Sequence, residues 1–281
     1  MTMRLLFAPL LLTVLLAACA RDEAPAAETA PGAATPAAAE TVAGEPAVAP
    51  GAESAAGAAE PATATTAAAA ADPAAEAAVA AASAAAAQGD TLVAGTDFIE
   101  IQGGQPYAPL DGKVEVVEVF AYWCAHCAQF DPLVTAWKAK LPADVRFTYL
   151  PAVFSADDQY PRAFFAAETA GVLERVHGPL FRAIHIDRSL RPNAGIDDIA
   201  AFLGKQGADE AQMKSTMQSF AINAKLNRAK QFAIRSGIDS TPTLVVNGKY
   251  RVRGRTHEDA LRIAEQLIAR ERAASPAGGG Q

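Results

Sequence analysis

Two thiols separated by two residues, Cys124-Ala125-His126-Cys127, lie where an apolar run from Val114 to Trp123 gives way to a helical pattern over Ala128 to Lys140. A sulfur at a strand-to-helix junction sits among the unpaired N–H groups of the helix start, where the helix dipole favours negative charge. A thiolate is stabilised there, and thiolates are the species that exchange disulfides. Cys124, at the junction, is expected to be the exposed thiol, and Cys127, one turn into the helix, the shielded one. The four residues predict redox exchange.

The other reading of paired cysteines is half of a zinc site. The chain has no second Cys pair, and His177, His185 and His257 lack paired ligand spacing, so no metal site is expected. His126, between the thiols, is placed to donate to the Cys124 thiolate or to favour it electrostatically. Glu118 precedes Cys124 by six residues, on the strand face of Val116 and Phe120. Burial there would raise its pKa and make it a proton carrier.

The elements that must position these groups occupy only part of the 281 residues. Met1 to Ala18 pairs Arg4 with an apolar stretch, Leu5 to Leu16, that is short for a membrane span and fits an export signal. Leu16-Ala17-Ala18-Cys19 resembles the bacterial lipobox, which implies that Cys19 becomes a lipidated first residue anchoring the chain to a membrane. By the sorting pattern this resembles, Ala20 after the cysteine favours the outer membrane. Cys124 and Cys127 are then the remaining cysteines of an exported chain. One pair closing so short a loop constrains the unfolded chain little and argues for a reactive role.

Residues 19–90 form an Ala/Pro/Glu-rich segment almost without large apolar side chains, which predicts a disordered tether. Between 20 and 90 ten acidic residues face Arg21 alone, a net charge of −9, whereas residues 91–281 carry 22 Lys plus Arg against 21 Asp plus Glu. The folded part is therefore near neutral, which argues against nucleic acid as a partner. As a coil the tether would span roughly 45 to 50 Å, and fully stretched at most about 240 Å. Within it, Ala69 to Ala87 is expected to be transiently helical.

From Thr91 the pattern is that of an α/β domain. Asp97–Ile101 alternates weakly, Val114–Ala121 reads as a buried central strand, and Val145–Leu150 follows as the next strand. Five helical patterns between Pro161 and Ser236 then make a helical block. Thr243–Val246, the turn at Asn247-Gly248 and Lys249–Val252 form a hairpin. A last helix opens at Thr256 or Asp259 and ends near Arg272, and residues 273–281 are expected to be disordered.

This order, together with Cys-x-His-Cys and Ser240-Thr241-Pro242-Thr243, resembles the DsbA family of exported thiol–disulfide oxidoreductases over residues 91–272. The resemblance implies a thioredoxin fold with an inserted all-helical subdomain at about 155–235. It implies attack at Cys124 by a substrate thiolate, a buried acid at Glu118 serving Cys127, and a cis bond before Pro242 that presents the Thr241 backbone to an extended substrate. Ala125 departs from members with proline there, which would tune the potential. The expected enzyme is a periplasmic monomer without a soluble cofactor. It oxidises partly folded exported proteins that carry free thiols and is itself reoxidised by a DsbB-like membrane quinone reductase. A reductase or isomerase on the same fold, or a tethered holdase, are the alternatives.

Overall fold

The β-branched run Val114–Phe120 forms β2, buried along all seven residues as a strand covered on both faces must be. The structure, a computed structural model, describes residues 72–89 and 91–274. The expected export signal at 1–18, the expected lipidation at Cys19, the expected tether up to residue 71 and the expected disordered tail from 275 lie outside the described residues. Among the described residues five strands form one sheet in the order β1-β5-β4-β2-β3. They are β1 (Phe98–Glu100), β2, β3 (Val145–Pro151), β4 (Thr243–Val246) and β5 (Tyr250–Val252). β2 and β3 run parallel and the other pairings are antiparallel, with Glu118 opposite Tyr149 on one side and Leu244 on the other.

The hairpin joining β4 to β5 turns on Asn247 and Gly248, both at positive φ (49° and 65°), the backbone a two-residue turn requires. A Cβ on Gly248 would also collide with the Gln105 carbonyl.

Among the described residues seven helices follow α1 (Pro73–Ala87): α2 (Ala125–Lys138), α3 (Tyr160–Thr169), α4 (Leu173–His185), α5 (Ile196–Lys205), α6 (Glu210–Met217), α7 (Phe220–Arg235) and α8 (His257–Ala274). α3 to α7 stand between β3 and β4 as a helical block, with α3 touching β3, α4, α5, α6 and α7. α8 packs on β2, β4 and β5. α2 is thus held between α8, which lies on the sheet, and α4 of the helical block. Among the described residues no helix is long and apolar enough to cross a membrane.

One expectation is corrected. Residues 73–87 are not a transiently helical part of a disordered tether but a docked helix, α1, lying on α8 and α2. Asp72 caps it, accepting from the Ala74 and Ala75 amides at 2.9 and 3.4 Å, with Pro73 at its first position. A 15-residue alanine helix alone is marginal in water. The difference lies in the stripe Ala75, Val79 and Ala82, which is buried, and in Ser83 Oγ, which donates to Glu265 Oε1 at 2.6 Å while Trp137 Nε1 donates to the same oxygen at 2.8 Å. Val79→Asp is expected to undock α1, lowering unfolding stability by roughly 1–3 kcal/mol and opening residues 72–89 to limited proteolysis. Unchanged urea unfolding and cleavage would contradict that docking.

Candidate active site

Cys124 is the N-cap of α2, at φ −80° and ψ 116°, and its Sγ accepts a hydrogen bond from the Cys127 amide at 3.3 Å. Side-chain oxygens usually fill this position; here a sulfur does, so a negative charge on it meets the helix's free amides directly. Cys124 is 8 % exposed, against 0 % for Cys127. Cys124 is the more accessible thiol, yet far less open than expected, because the loop carrying Thr241 covers it. Cys124 Sγ lies 3.3 Å from the Thr241 carbonyl oxygen, and the Thr241–Pro242 bond is cis.

Both thiols are free and their ionisation is pulled in opposite directions. Hydrogen bonding from the Cys127 thiol, helped by Thr241 and by the Cys127 and His126 backbone N–H groups, lowers Cys124 to about 5 against the opposing effect of burial. Burial, reinforced by that shared hydrogen, drives Cys127 up. One sulfur is prepared to ionise and the other to keep its proton. The contribution of His126 to Cys124 passes through its backbone N–H; its ring is exposed and faces His257, 6.3 Å away between centroids. His126, Phe130, Thr241, Pro242, Arg251 and His257 are among the residues lining a groove of about 950 Å³ beside the thiols.

Glu118 lies on β2 and is 2 % exposed. The same strand carries a second buried glutamate, Glu115, and the two differ in chemistry. Glu115 accepts from the Tyr107 and Ala108 amides at 2.6 and 3.0 Å and from Arg146 at 2.7 Å, which satisfies it as a structural carboxylate. Glu118 Oε2 has no hydrogen-bond partner among the described residues. Burial first, then the charges of Asp131 and Cys124, hold its pKa well above the carboxylate range. A carboxyl kept neutral beside two sulfurs can give up a proton or take one.

Around it is a buried cluster that sequence reasoning missed. Asp131, four residues after Cys127 on α2, is pushed up to about 6 by burial, with Lys138 opposing and Glu174 adding. Its Oδ1 lies 3.4 Å from His177 Nε2, and His177 Nδ1 is 2.7 Å from the Tyr122 hydroxyl. Burial lowers His177 to about 3, so the ring is neutral and packs on Tyr149 with centroids 4.3 Å apart. The i, i+4 relation of Cys127 and Asp131 is a signal that could have found Asp131; His177 and His257 reach the site only through tertiary packing. Of the aromatics near the thiols in sequence, Trp123 and Phe154 are exposed and adjacent, with centroids 6.4 Å apart, while Tyr160 and Phe165 are buried. Among the described residues no group of three or more His, Cys, Asp or Glu is arranged to hold a metal ion.

The Thioredoxin family model matches residues 103–265. The thiol:disulfide interchange protein DsbA of Pseudomonas aeruginosa is 38 % identical over 192 residues, covering 67 % of this chain and 90 % of the relative. Its counterpart in Pseudomonas syringae is 35 % identical over 67 % of this chain and 88 % of the relative. Among solved structures, the oxidoreductase DsbA of Xylella fastidiosa superposes with a TM-score of 0.64 at 42 % identity, covering 66 % of this chain and 100 % of that one. P. aeruginosa DsbA superposes with a TM-score of 0.60 at 38 % identity, covering 65 % of this chain and 96 % of that one. A thioredoxin-like sheet interrupted by a helical block, a two-cysteine helix start and relatives of this identity along nearly their whole length agree: the chain belongs to the DsbA family and is a thiol:disulfide oxidoreductase.

Proposed function

We propose that the Cys124–Cys127 pair acts as an oxidant in the periplasm, passing its disulfide to exported, partly folded proteins that carry free thiols. A substrate thiolate attacks Cys124 Sγ; the new S–S bond forms as the Cys124–Cys127 bond breaks, and Cys127 leaves with the electron pair. Cys127 then takes a proton, for which Glu118 is the source. The substrate's second thiolate attacks its own sulfur in the mixed disulfide and expels Cys124 as thiolate. The substrate loses two electrons and the pair gains them. The carrying observation is the opposite pull on the two sulfurs: a departing thiolate of low pKa leaves fast and stabilises the reduced enzyme, which makes the disulfide form oxidising.

Thr241 and Pro242 serve as the substrate-binding edge, supported by the 3.3 Å contact between the Thr241 carbonyl and Cys124 Sγ; an extended peptide would lie there as an added strand. His126 assists the thiolate. No soluble cofactor or metal is needed, and reoxidation falls to a DsbB-like membrane quinone reductase. Cys19 is the lipid attachment point, holding a monomer at a membrane through the segment before α1, in an outer- or inner-membrane leaflet.

Equilibration of the purified pair with glutathione tests the direction. An oxidant is expected to remain reduced in mixtures that leave cytosolic dithiols oxidised. A potential as low as that of thioredoxin, roughly −270 mV, would instead make the chain a reductase.

A further inference from the structure

His257 opens α8 and is half-buried against the first turns of α2, its ring 4.9 Å from that of Phe130 at an interplanar angle of 31°. The same ring is 6.3 Å from His126, centroid to centroid, and with Thr241 and Pro242 it lines the groove beside Cys124. Two imidazoles from two different helices therefore meet in one groove, together with the Thr241 whose carbonyl lies 3.3 Å from Cys124 Sγ. We propose that His257 is a positioning residue of the exchange reaction, an imidazole that, when protonated, stabilises the Cys124 thiolate alongside the backbone N–H of His126. The proposal rests on the reading of Cys124 as the sulfur that is attacked and expelled.

The charges around His257 set how this works. Burial and the neighbouring His126 hold its pKa down, while Glu258 on its own helix and the charge of Cys124 raise it. Asp239, from the loop before β4, and Arg251, Arg253 and Arg255, from β5 and the segment after it, line the same groove. A proton on His257 is drawn to the groove when Cys124 becomes a thiolate. In the disulfide form no sulfur charge draws it. Reduction of the pair is thereby coupled to protonation of His257, and the coupling is reciprocal.

The test uses the intact protein. Nuclear magnetic resonance titration of the His257 ring in wild type is expected to give a higher midpoint in the reduced form than in the oxidised form. Titration of thiolate absorbance in reduced His257→Gln is expected to place Cys124 ionisation higher than in wild type by roughly half a unit to one unit, a three- to tenfold loss of thiolate at low pH. His257→Lys, which restores a cation, is expected to reverse that shift, which a purely structural role would not allow. Identical His257 midpoints in both redox forms overturn the proposal, and so does unchanged Cys124 ionisation in His257→Gln. If His257→Gln does not fold, the wild-type comparison decides alone. Wild-type Cys124 ionising like a free thiol would bring down the exchange reading itself, an outcome distinct from a His257→Gln variant that behaves as wild type.

Discussion

Cys124→Ser is expected to lose disulfide transfer to the background of buffer alone, while Cys127→Ser is expected to be trapped as a mixed disulfide with an oxidised substrate. In Cys124→Ser the remaining sulfur is fully buried and its thiol is driven away from ionisation, so it can neither be reached nor attack. In Cys127→Ser the accessible thiolate keeps its place at the cap and, met by the disulfide of an oxidised substrate, attacks it: the mixed disulfide forms as the substrate's S–S bond breaks and its other sulfur leaves as thiolate, and no neighbouring thiol of the enzyme competes to break the adduct. On non-reducing gels a reduced substrate protein should gain no disulfide with the first variant, and a substrate protein that carries a disulfide should accumulate as a covalent adduct with the second. Substantial turnover by Cys124→Ser would contradict the assignment of the attacked sulfur.

The second large effect is in stability. In the reduced protein Cys124 is lowered to about 5, against about 8.5 for a cysteine in an unfolded chain. A depressed acid stabilises the fold fully above the unfolded value, and this contribution is lost as pH falls through about 5. The disulfide form has no such group, and the entropy of its short ring is independent of pH. The unfolding free energy of the reduced form minus that of the oxidised form should therefore climb between about pH 5 and 8.5, by roughly 2–5 kcal/mol after allowance for partial screening. Above that it should turn down: Cys127 is raised in the fold, so the unfolded chain ionises it first and stability is lost as pH rises further. Paired urea titrations across this range would show the peak; a flat difference would contradict it.

The site was legible in the sequence where chemistry and position coincide locally. The tetrapeptide at the end of a β-branched run needs only the strand-to-helix junction to place both sulfurs, and the cap geometry of Cys124 follows from it. The period of β2 placed Glu118 on a definite face, and the helical patterns from 161 to 236 matched α3 to α7 because each carries an apolar stripe closed by a breaker. What escaped depends on contacts between elements distant in the chain. Nothing local tells the docked helix α1 from a free alanine helix, since the partner surface comes from Trp137 and Glu265. Nothing in β2 distinguishes the satisfied Glu115 from Glu118, whose Oε2 is left unpartnered, because Arg146 and the Tyr107 and Ala108 amides arrive from elsewhere. His177 and His257 look like isolated histidines until α4 and α8 bring them to α2.

The Thr241 loop adds a constraint that the motif alone does not convey. It covers Cys124 closely enough to leave 8 % of it exposed, so a substrate must approach along the groove bounded by Thr241 and Pro242. This favours extended segments, which bring a sulfur in beside the loop backbone, over thiols packed in folded surfaces.

All of this depends on one sulfur giving up its proton far below neutrality, and ultraviolet absorbance of the reduced protein as a function of pH measures that directly. The account predicts one thiolate per chain, appearing with a midpoint near 5 and absent in Cys124→Ser. A midpoint at the free-cysteine value of about 8.5, or a low-pH thiolate that survives in Cys124→Ser, would contradict it.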